Sequence, residues 1–210
     1  MCIRDSPNQD VDSGIFINQS LLVQEGVSTA DGVVIDSFSS GSDAFAMSDD
    51  GTYVIFEAVR VDGVEGAYLI ERSVGTNYCM SAPTSFSALG SVISAGGSAA
   101  ISANNLELFC TAVVPGEPGL FYYGPTAVGG LPFGDGFRCV GGPMGTVVRV
   151  YPFVQADAGG VMHATIDNTI PVHSQLSPGA TLYFQSWFRD TAGGPAGFNL
   201  SDGLEITFSP

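Results

Sequence analysis

The two histidines of the chain, His163 and His173, are the first residues to test for catalysis. His163 lies in the run Val161–Ile166, whose alternation is typical of a half-exposed strand, and His173 follows a proline in a turn-rich stretch. A metal centre needs three or more ligands, and the sequence has neither an HExxH motif nor a Gly-x-Ser-x-Gly nucleophile elbow. We therefore expect both histidines to be structural, and we predict a protein that is not an enzyme, with no catalytic residue.

The acidic residues raise the question of calcium, which binds to clustered oxygen ligands. Weak candidates are Asp10 and Asp12, which alternate with other oxygen-bearing residues, and the adjacent Asp49 and Asp50. Neither place continues with the spacing of an EF-hand loop, and Asp50 precedes a glycine, as in a tight hairpin turn. We expect turns at these positions, no cofactor other than calcium, and modest stabilisation by calcium. The number of acidic residues alone does not exclude a pair of carboxylates placed for glycoside hydrolysis.

The charge balance excludes two classes of partner. The chain of 210 residues has 6 basic side chains, all of them arginine, against 21 acidic ones, for a net charge of -15. Binding to nucleic acid or to anionic lipid needs clustered cations, so we predict no nucleic-acid partner. No apolar run approaches the roughly 18 to 20 residues that span a bilayer, so we predict no membrane insertion. Hydrophobic residues make up 45% of the chain, which is typical of a folded protein.

The elements that must position these residues are β-strands. No segment of ten residues keeps a 3.6-residue apolar period, whereas short alternating runs bounded by Gly, Asp, Asn, Ser and Pro occur throughout. An all-β protein is therefore predicted. Its candidate strands are Gly14–Ile17, Leu21–Gln24, Val33–Phe38, Ala44–Met47, Tyr53–Val59, Gly66–Glu71, Ser91–Ala95, Ala99–Ser102, Leu106–Val113, Gly119–Tyr123, Gly136–Cys139, Val147–Tyr151, Val161–Ile166, Thr181–Arg189 and Leu204–Phe208.

A composition shift divides the chain into regions. The segment Ser73–Asn77 is small and polar, as expected of a linker, and acidic residues are denser before it than after it. We predict a first region over 13–72 and a second over 77–210. Residues 1–12 are expected to be a non-native leader or disordered, because Met1–Ser6 (MCIRDS) resembles a translated adaptor remnant found in environmental sequences. Cys2 is then not native, and the lack of a signal peptide says nothing about export.

The first region resembles one blade of a bacterial repeat β-propeller. The resemblance rests on Leu21–Gly26, Asp31-Gly32, the hairpin Ser48–Ala58 and Ala67–Ile70. Because propellers need about four to eight blades, the resemblance implies a small antiparallel sheet with an exposed edge. A plain hairpin sheet remains the alternative.

The second region resembles C-terminal β-sandwich domains of large exported proteins of planctomycete-like marine bacteria. The segments that carry the resemblance are Asn77-Tyr78-Cys79, Gly97-Ser98, Asn104–Leu108, Gly119–Gly124, Gly136–Gly142, Pro178–Asp190 and Phe198–Leu204. The sequence departs from the pattern at Ala82–Ser85. The resemblance implies an antiparallel β-sandwich, Ig-like or jelly-roll-like, in an extracellular or cell-surface bacterial protein.

The resemblance also implies a disulfide between Cys79 and Cys139. Such a bridge closes a loop of about 60 residues and contributes on the order of 4 kcal/mol by chain-entropy estimates. Cys110 lies where a small apolar residue would serve, so we interpret it as a buried free thiol. A metal site built from the three thiols is the alternative, but the chain has no Cys-x-x-Cys pair. A structural disulfide indicates an oxidising compartment.

The stretch Phe184–Asp190 suggests a ligand surface. Alternation on a strand places Gln185, Trp187 and Arg189 on one side. Trp187 could stack on a sugar, with Gln185 and Arg189 as polar contacts. The favoured alternative makes Trp187 a core or edge anchor and Arg189 a partner of Asp190 or Asp202.

The remaining arginines of the second region, Arg138 and Arg149, receive the same interpretation. In a chain with so few cations, each is expected to pair with a carboxylate or with backbone carbonyls.

These observations favour a non-enzymatic module of an exported bacterial protein that acts in adhesion, presentation or surface assembly. The first alternative is a carbohydrate-binding sandwich that uses Trp187, Tyr122 and Tyr123. The second is the remnant of a secreted propeller hydrolase whose catalytic residues lay on missing upstream blades. The expected partner is an extracellular polysaccharide or a surface protein.

Overall fold

The computed structural model describes residues 2–4, 14–17, 20–30, 32–39, 45–47, 53–71 and 74–210. Within these ranges the chain forms nineteen β-strands and two short 3-10 helices, which confirms the predicted all-β class. The described strands pair antiparallel in several sheets, none of which closes on itself. The chain divides into two compact units, 1–72 and 73–210. In the described ranges no helix has the length and apolar character needed to cross a membrane.

The first unit contains eight of the described strands. They are β1 (Cys2–Arg4), β2 (Gly14–Ile17), β3 (Ser20–Gln24), β4 (Thr29–Ala30), β5 (Val33–Phe38), β6 (Phe45–Met47), β7 (Tyr53–Arg60) and β8 (Glu65–Glu71). Strands β1, β2 and β3 form one sheet in that order. Strand β7 is central in the other sheet, because it pairs with β5 and β6 on one side and with β8 on the other.

The alternation along β7 separates a core face from an exposed face. Val54, Phe56 and Ala58 are buried, whereas Tyr53 and Ile55 are exposed. Phe56 and Ala58 belong to a small hydrophobic core that also contains Ile15, Val23 and Ile35. A period of two residues in the sequence therefore becomes two faces of one sheet.

The described part of the predicted leader is a short strand. Cys2–Arg4 forms β1 and pairs antiparallel with β2. The rest of segment 1–12 lies outside the described residues.

The second unit contains the other eleven strands. They are β9 (Thr76–Tyr78), β10 (Val92–Gly96), β11 (Glu107–Thr111), β12 (Pro118–Gly124), β13 (Thr126–Phe133), β14 (Gly136–Gly141), β15 (Val148–Gln155), β16 (Met162–Thr165), β17 (Thr181–Arg189), β18 (Phe198–Leu200) and β19 (Gly203–Thr207). Because β9 begins at Thr76, the end of the predicted linker Ser73–Asn77 is already strand.

Two sheets of the second unit share one hydrophobic core. The larger has the order β15-β12-β17-β19-β9, with β18 also paired to β17, and the smaller has the order β10-β11-β16. Fully buried side chains from both sheets meet in this core, among them Phe121, Phe184 and Phe188 from the larger and Leu108 and Met162 from the smaller. We call the face of the larger sheet that lines this core the inner face.

The hairpin β13–β14 packs on the opposite, outer face of the larger sheet. A second, smaller cluster forms beneath it, with Leu120 and Tyr122 from β12, Val140 from β14 and Leu200 from β18. The larger sheet therefore has apolar side chains against both of its faces, which explains why β12 is buried along almost its whole length.

One predicted strand is wrong. Ala99–Ser102 contains only an isolated bridge at Ala100, and a 3-10 helix follows over Ile101–Ala103. Asn104 then takes a left-handed conformation, with φ 45°, which ends the helix. Asparagine tolerates this conformation better than most residues, so the turn needs no glycine.

Candidate functional site

A disulfide fixes the hairpin to the edge of the larger sheet. Cys79, directly after β9, is bonded to Cys139 of β14 with an S–S distance of 2.02 Å, and this is the pair that the sequence resemblance implies. Beside the bond, the Tyr78 hydroxyl donates to the Cys139 carbonyl at 2.7 Å. Burial raises the pKa of Tyr78, so this hydroxyl keeps its proton at neutral pH.

The remaining thiol of the second unit, Cys110, is free and fully buried. Burial raises its pKa to about 12. The Ser186 hydroxyl donates to its sulfur at 2.9 Å. A neutral buried thiol is a poor nucleophile, so Cys110 acts as a core residue.

Gln185 lies under the hairpin and has every polar atom engaged. Its Nε2 donates to the Phe137 carbonyl at 2.8 Å and to the Ser201 carbonyl at 2.7 Å. Its Oε1 accepts from the Tyr122 hydroxyl and from the Cys139 backbone N–H at 2.9 Å. A side-chain amide has two donor hydrogens and two acceptor sites, so all four are used. Gln185 therefore links β17 to β12, β14 and the segment before β19.

Tyr122 and Tyr123, which were also predicted to contact a ligand, are buried as well. Tyr122 is buried beside Gln185 on the outer face, whereas Tyr123 points into the core. The Tyr123 hydroxyl shares a 2.8 Å hydrogen bond with His173 Nδ1, and both residues are buried. Burial lowers the pKa of His173 despite the opposing charge of Asp167. The structure thus separates Tyr122 and Tyr123 onto opposite faces, away from a common ligand surface.

Trp187 is only partly buried. Its ring packs against the outer-face cluster and lies 5.7 Å from the ring of Phe198. Phe198 in turn lies 5.5 Å from Phe133, which is exposed at the tip of the hairpin. The indole is thus the inner end of an aromatic row that reaches solvent at Phe133.

The expected partners of Arg189 are engaged elsewhere. Asp190 accepts from the Ser85 backbone N–H at 3.1 Å and from the Ser85 hydroxyl. Asp202 accepts from the Ile93 backbone N–H at 2.8 Å and from Asn77 Nδ2 at 2.9 Å. Burial raises the pKa of Asp202, although both hydrogen bonds oppose the shift. The interpretation of Arg189 as a partner of either carboxylate is therefore wrong.

The same holds for the other two arginines of this unit. Among the residues that the structure describes, Arg138, Arg149 and Arg189 are in no ion pair. All three are exposed. The expected partner of each was a carboxylate or backbone carbonyls. Among the described residues these three side chains form neither contact, and the buried Asp190 and Asp202 accept from other groups.

Two exposed aromatic residues were missed by the sequence reasoning. Tyr151 and Phe153 are each 59% exposed on β15, with their ring centroids 5.7 Å apart and their planes at 81°. Residue pairing explains the exposure. Phe121 of β12 pairs with Val150 of β15, and Gly119 pairs with Val154. Leu120, the one residue between them on β12, therefore lies opposite three residues of β15, which are Tyr151, Pro152 and Phe153. The available signal was the run Val147–Tyr151, whose alternation already placed Arg149 and Tyr151 together.

One histidine contacts a carboxylate. His163 Nε2 lies 3.5 Å from Glu107 Oε1, and the imidazole stacks on Phe109 with 4.7 Å between ring centroids. The three residues are on adjacent strands β11 and β16, and nearly half of the His163 and Glu107 side chains is exposed. His163 pairs directly with Phe109 and lies diagonal to Glu107 on the same sheet face, and such cross-strand neighbours stabilise sheets.

The calcium candidates Asp10, Asp12, Asp49 and Asp50 lie outside the described residues. Within the described ranges, no group of three or more His, Cys, Asp or Glu side chains is placed to hold a metal ion.

Comparison of the chain with protein-family models, with curated proteins and with solved structures finds no match.

Proposed function

We propose that the chain is a non-enzymatic module of an exported bacterial protein, and that it acts in adhesion, presentation or surface assembly. The observation that carries the proposal is the Cys79–Cys139 disulfide. Structural disulfides form and persist in oxidising environments such as the periplasm and the cell exterior. The acidic composition also suits a protein that must remain soluble outside the cell.

The use of the interior polar groups supports a structural role. Gln185, Asp190 and Asp202 are buried, and each joins segments that are distant in sequence through the hydrogen bonds described above. Polar groups that serve the fold in this way hold strands in register. The same side chains would otherwise be the natural candidates for binding or proton transfer.

The finer architecture belongs to this proposal. Two antiparallel sheets that share one core are compatible with a β-sandwich of the Ig-like or jelly-roll-like kind. In the first unit, Ile55 and Leu69 pair across β7 and β8 and are both exposed, as expected of a propeller-like sheet whose face lacks a neighbouring blade. An origin in a planctomycete-like exported protein rests on the sequence resemblance alone.

Carbohydrate binding is the second candidate, and the aromatic row Trp187, Phe198 and Phe133 favours it. Partly exposed aromatic rings on a sheet face can stack on the apolar faces of sugars. The rings of Tyr122 and Tyr123 do not contribute, because both are buried.

Two measurements test the proposed function. The chain is secreted into the bacterial periplasm and its intact mass is compared before and after reduction, where we expect a gain of two hydrogens as one disulfide is reduced. Beads coated with the oxidised chain should then be retained on a polysaccharide-coated or cell-coated surface more than beads coated with an unrelated protein of similar net charge.

A screen with chromogenic glycoside, ester and peptide substrates completes the test. Turnover that disappears in His163→Gln or Glu107→Gln, with folding retained, would overturn the non-enzymatic proposal. A fully reduced periplasmic protein would overturn the export argument.

A further inference from the structure

The arginines of the second unit are distributed unevenly. This unit has eight acidic residues and three arginines, yet none of these three arginines is paired with a carboxylate among the described residues. Arg149 lies on β15 directly opposite Tyr122. Tyr122 faces the outer side of the sheet, and directly paired residues share a face, so Arg149 also lies on the outer face, where it is exposed.

The exposed aromatic pair continues along the same strand. Tyr151 follows Arg149 by two residues, a distance of about 7 Å along a strand, and Phe153 follows by two more. Both rings belong to the three-residue segment of β15 that lies opposite the single residue Leu120 of β12. We call the residues Arg149, Tyr151 and Phe153 the β15 surface. It combines one cation with two aromatic rings at the edge of the sheet.

The chemistry of these groups selects the ligand. Arginine presents a planar set of donors that matches carboxylate and sulfate oxygens, and aromatic rings stack on apolar faces such as the C–H faces of sugars. We propose that the β15 surface binds a polysaccharide whose sugar rings carry carboxylate or sulfate groups. This inference deepens the proposed adhesive function by naming its ligand class, and it rests on that function.

Charge complementarity is local. Arg149 is exposed on an edge strand, and at 0.1 M salt exposed charges more than about 10 Å from it are largely screened. A nucleic acid remains excluded, because its charge density demands many more cations than one. The open exposure of Tyr151 and Phe153 suits an extended chain of sugars.

The test uses the full chain in affinity gel electrophoresis with four soluble polymers: polygalacturonate, dextran sulfate, uncharged dextran and poly-glutamate. We expect retardation by polygalacturonate or dextran sulfate, which separates the two anion sources, and none by dextran. Arg149→Gln and Tyr151→Ala should each weaken binding by about tenfold, the loss that corresponds to one charge-assisted contact or one stacked ring. Phe153→Ala provides a further variant of this surface if one of these two does not fold.

Arg189→Gln is the matched control, because it removes the same charge from another exposed position of the same sheet. It should leave binding unchanged, and melting temperatures should show that all variants fold. The proposal is overturned if dextran binds equally well, if neither anionic polysaccharide binds, if poly-glutamate binds as tightly as they do, or if Arg189→Gln weakens binding as much as Arg149→Gln.

Failure of this ligand proposal can be told apart from failure of the proposed adhesive function. Bead retention that survives in Arg149→Gln and Tyr151→Ala overturns the β15 surface and leaves adhesion intact. Loss of bead retention for the unmodified chain overturns adhesion itself.

Discussion

The inner and outer faces of strand β17 carry alternate residues of one sequence and have different chemistry. The inner face contributes Phe184, Ser186 and Phe188 to a large core shared by two sheets. The outer face contributes Gln185, Trp187 and Arg189, which are buried, partly buried and exposed in that order along the strand. The difference shows that burial on the outer face depends on the hairpin β13–β14, and that the outer face ends in solvent where the hairpin does.

The comparison predicts unequal costs for removing an aromatic ring from each face. Phe184→Ala should lower the free energy of unfolding by about 4 kcal/mol, because it leaves a cavity in a core that cannot collapse around it. Trp187→Ala should cost about half as much, since its ring is partly solvated. Denaturant titration of both variants measures the difference. Equal losses would contradict the claim that the outer cluster is the weaker one.

The second prediction concerns the covalent link that holds the hairpin over the outer face. Cys79→Ser with Cys139→Ser should destabilise the second unit by about 4 kcal/mol, because the unfolded chain regains the freedom of a loop of roughly 60 residues. Thermal unfolding with and without reductant provides the measurement. The double variant should be insensitive to reductant, and a wild-type protein equally insensitive would argue against the link.

Gln185 tests the polar component of the outer face. Gln185→Leu keeps the volume but leaves buried donors and acceptors of Tyr122, Phe137, Cys139 and Ser201 without this partner, so we expect a loss of about 3 kcal/mol. Gln155→Leu is the matched control, because Gln155 is exposed and donates only one hydrogen bond, to the Gly116 carbonyl. A loss no greater than that of the control would contradict the assigned role.

The smallest expected effect is a pH dependence on the inner face. The pKa of His173 is lower in the folded than in the unfolded protein, so protonation favours unfolding. The stability that His173 contributes is present above its unfolded pKa of about 6.5 and is lost as the pH falls through the folded value. His173→Gln should flatten this part of the stability profile, as measured by denaturant midpoints between pH 5 and 8. An unchanged profile in His173→Gln would contradict the assignment.

Much of the fold could be predicted because alternation and turn residues mark strands directly. The bounds of β2, β5 and β17 coincide with the expected ones, since each run is flanked by Gly, Asp, Asn or Ser. Strand β13 was missed because Thr126–Phe133 contains two glycines and a proline, which are depleted in strands. Its partner β14 supplies the pairing that the local sequence does not favour.

The site was less predictable, because alternation assigns a residue to a face but not to whatever covers that face. The sequence places Gln185 and Trp187 together, and only the hairpin decides that one is enclosed and the other partly solvated. The arginines show the same limit. Counting cations suggests that each is paired, whereas backbone N–H groups from distant segments already occupy Asp190 and Asp202.

The disulfide has a consequence for the response of the chain to proteolysis. Segment 80–138 lies between the two bonded cysteines. It includes the exposed loop residues Met80, Phe86 and Leu89, and Leu89 is 90% exposed. Exposed loops are preferred sites of cleavage. A single cut there leaves two fragments that remain covalently joined through Cys79 and Cys139, each still paired with strands of the same sheets. Nicking would therefore change the number of polypeptide ends without releasing a piece of the module.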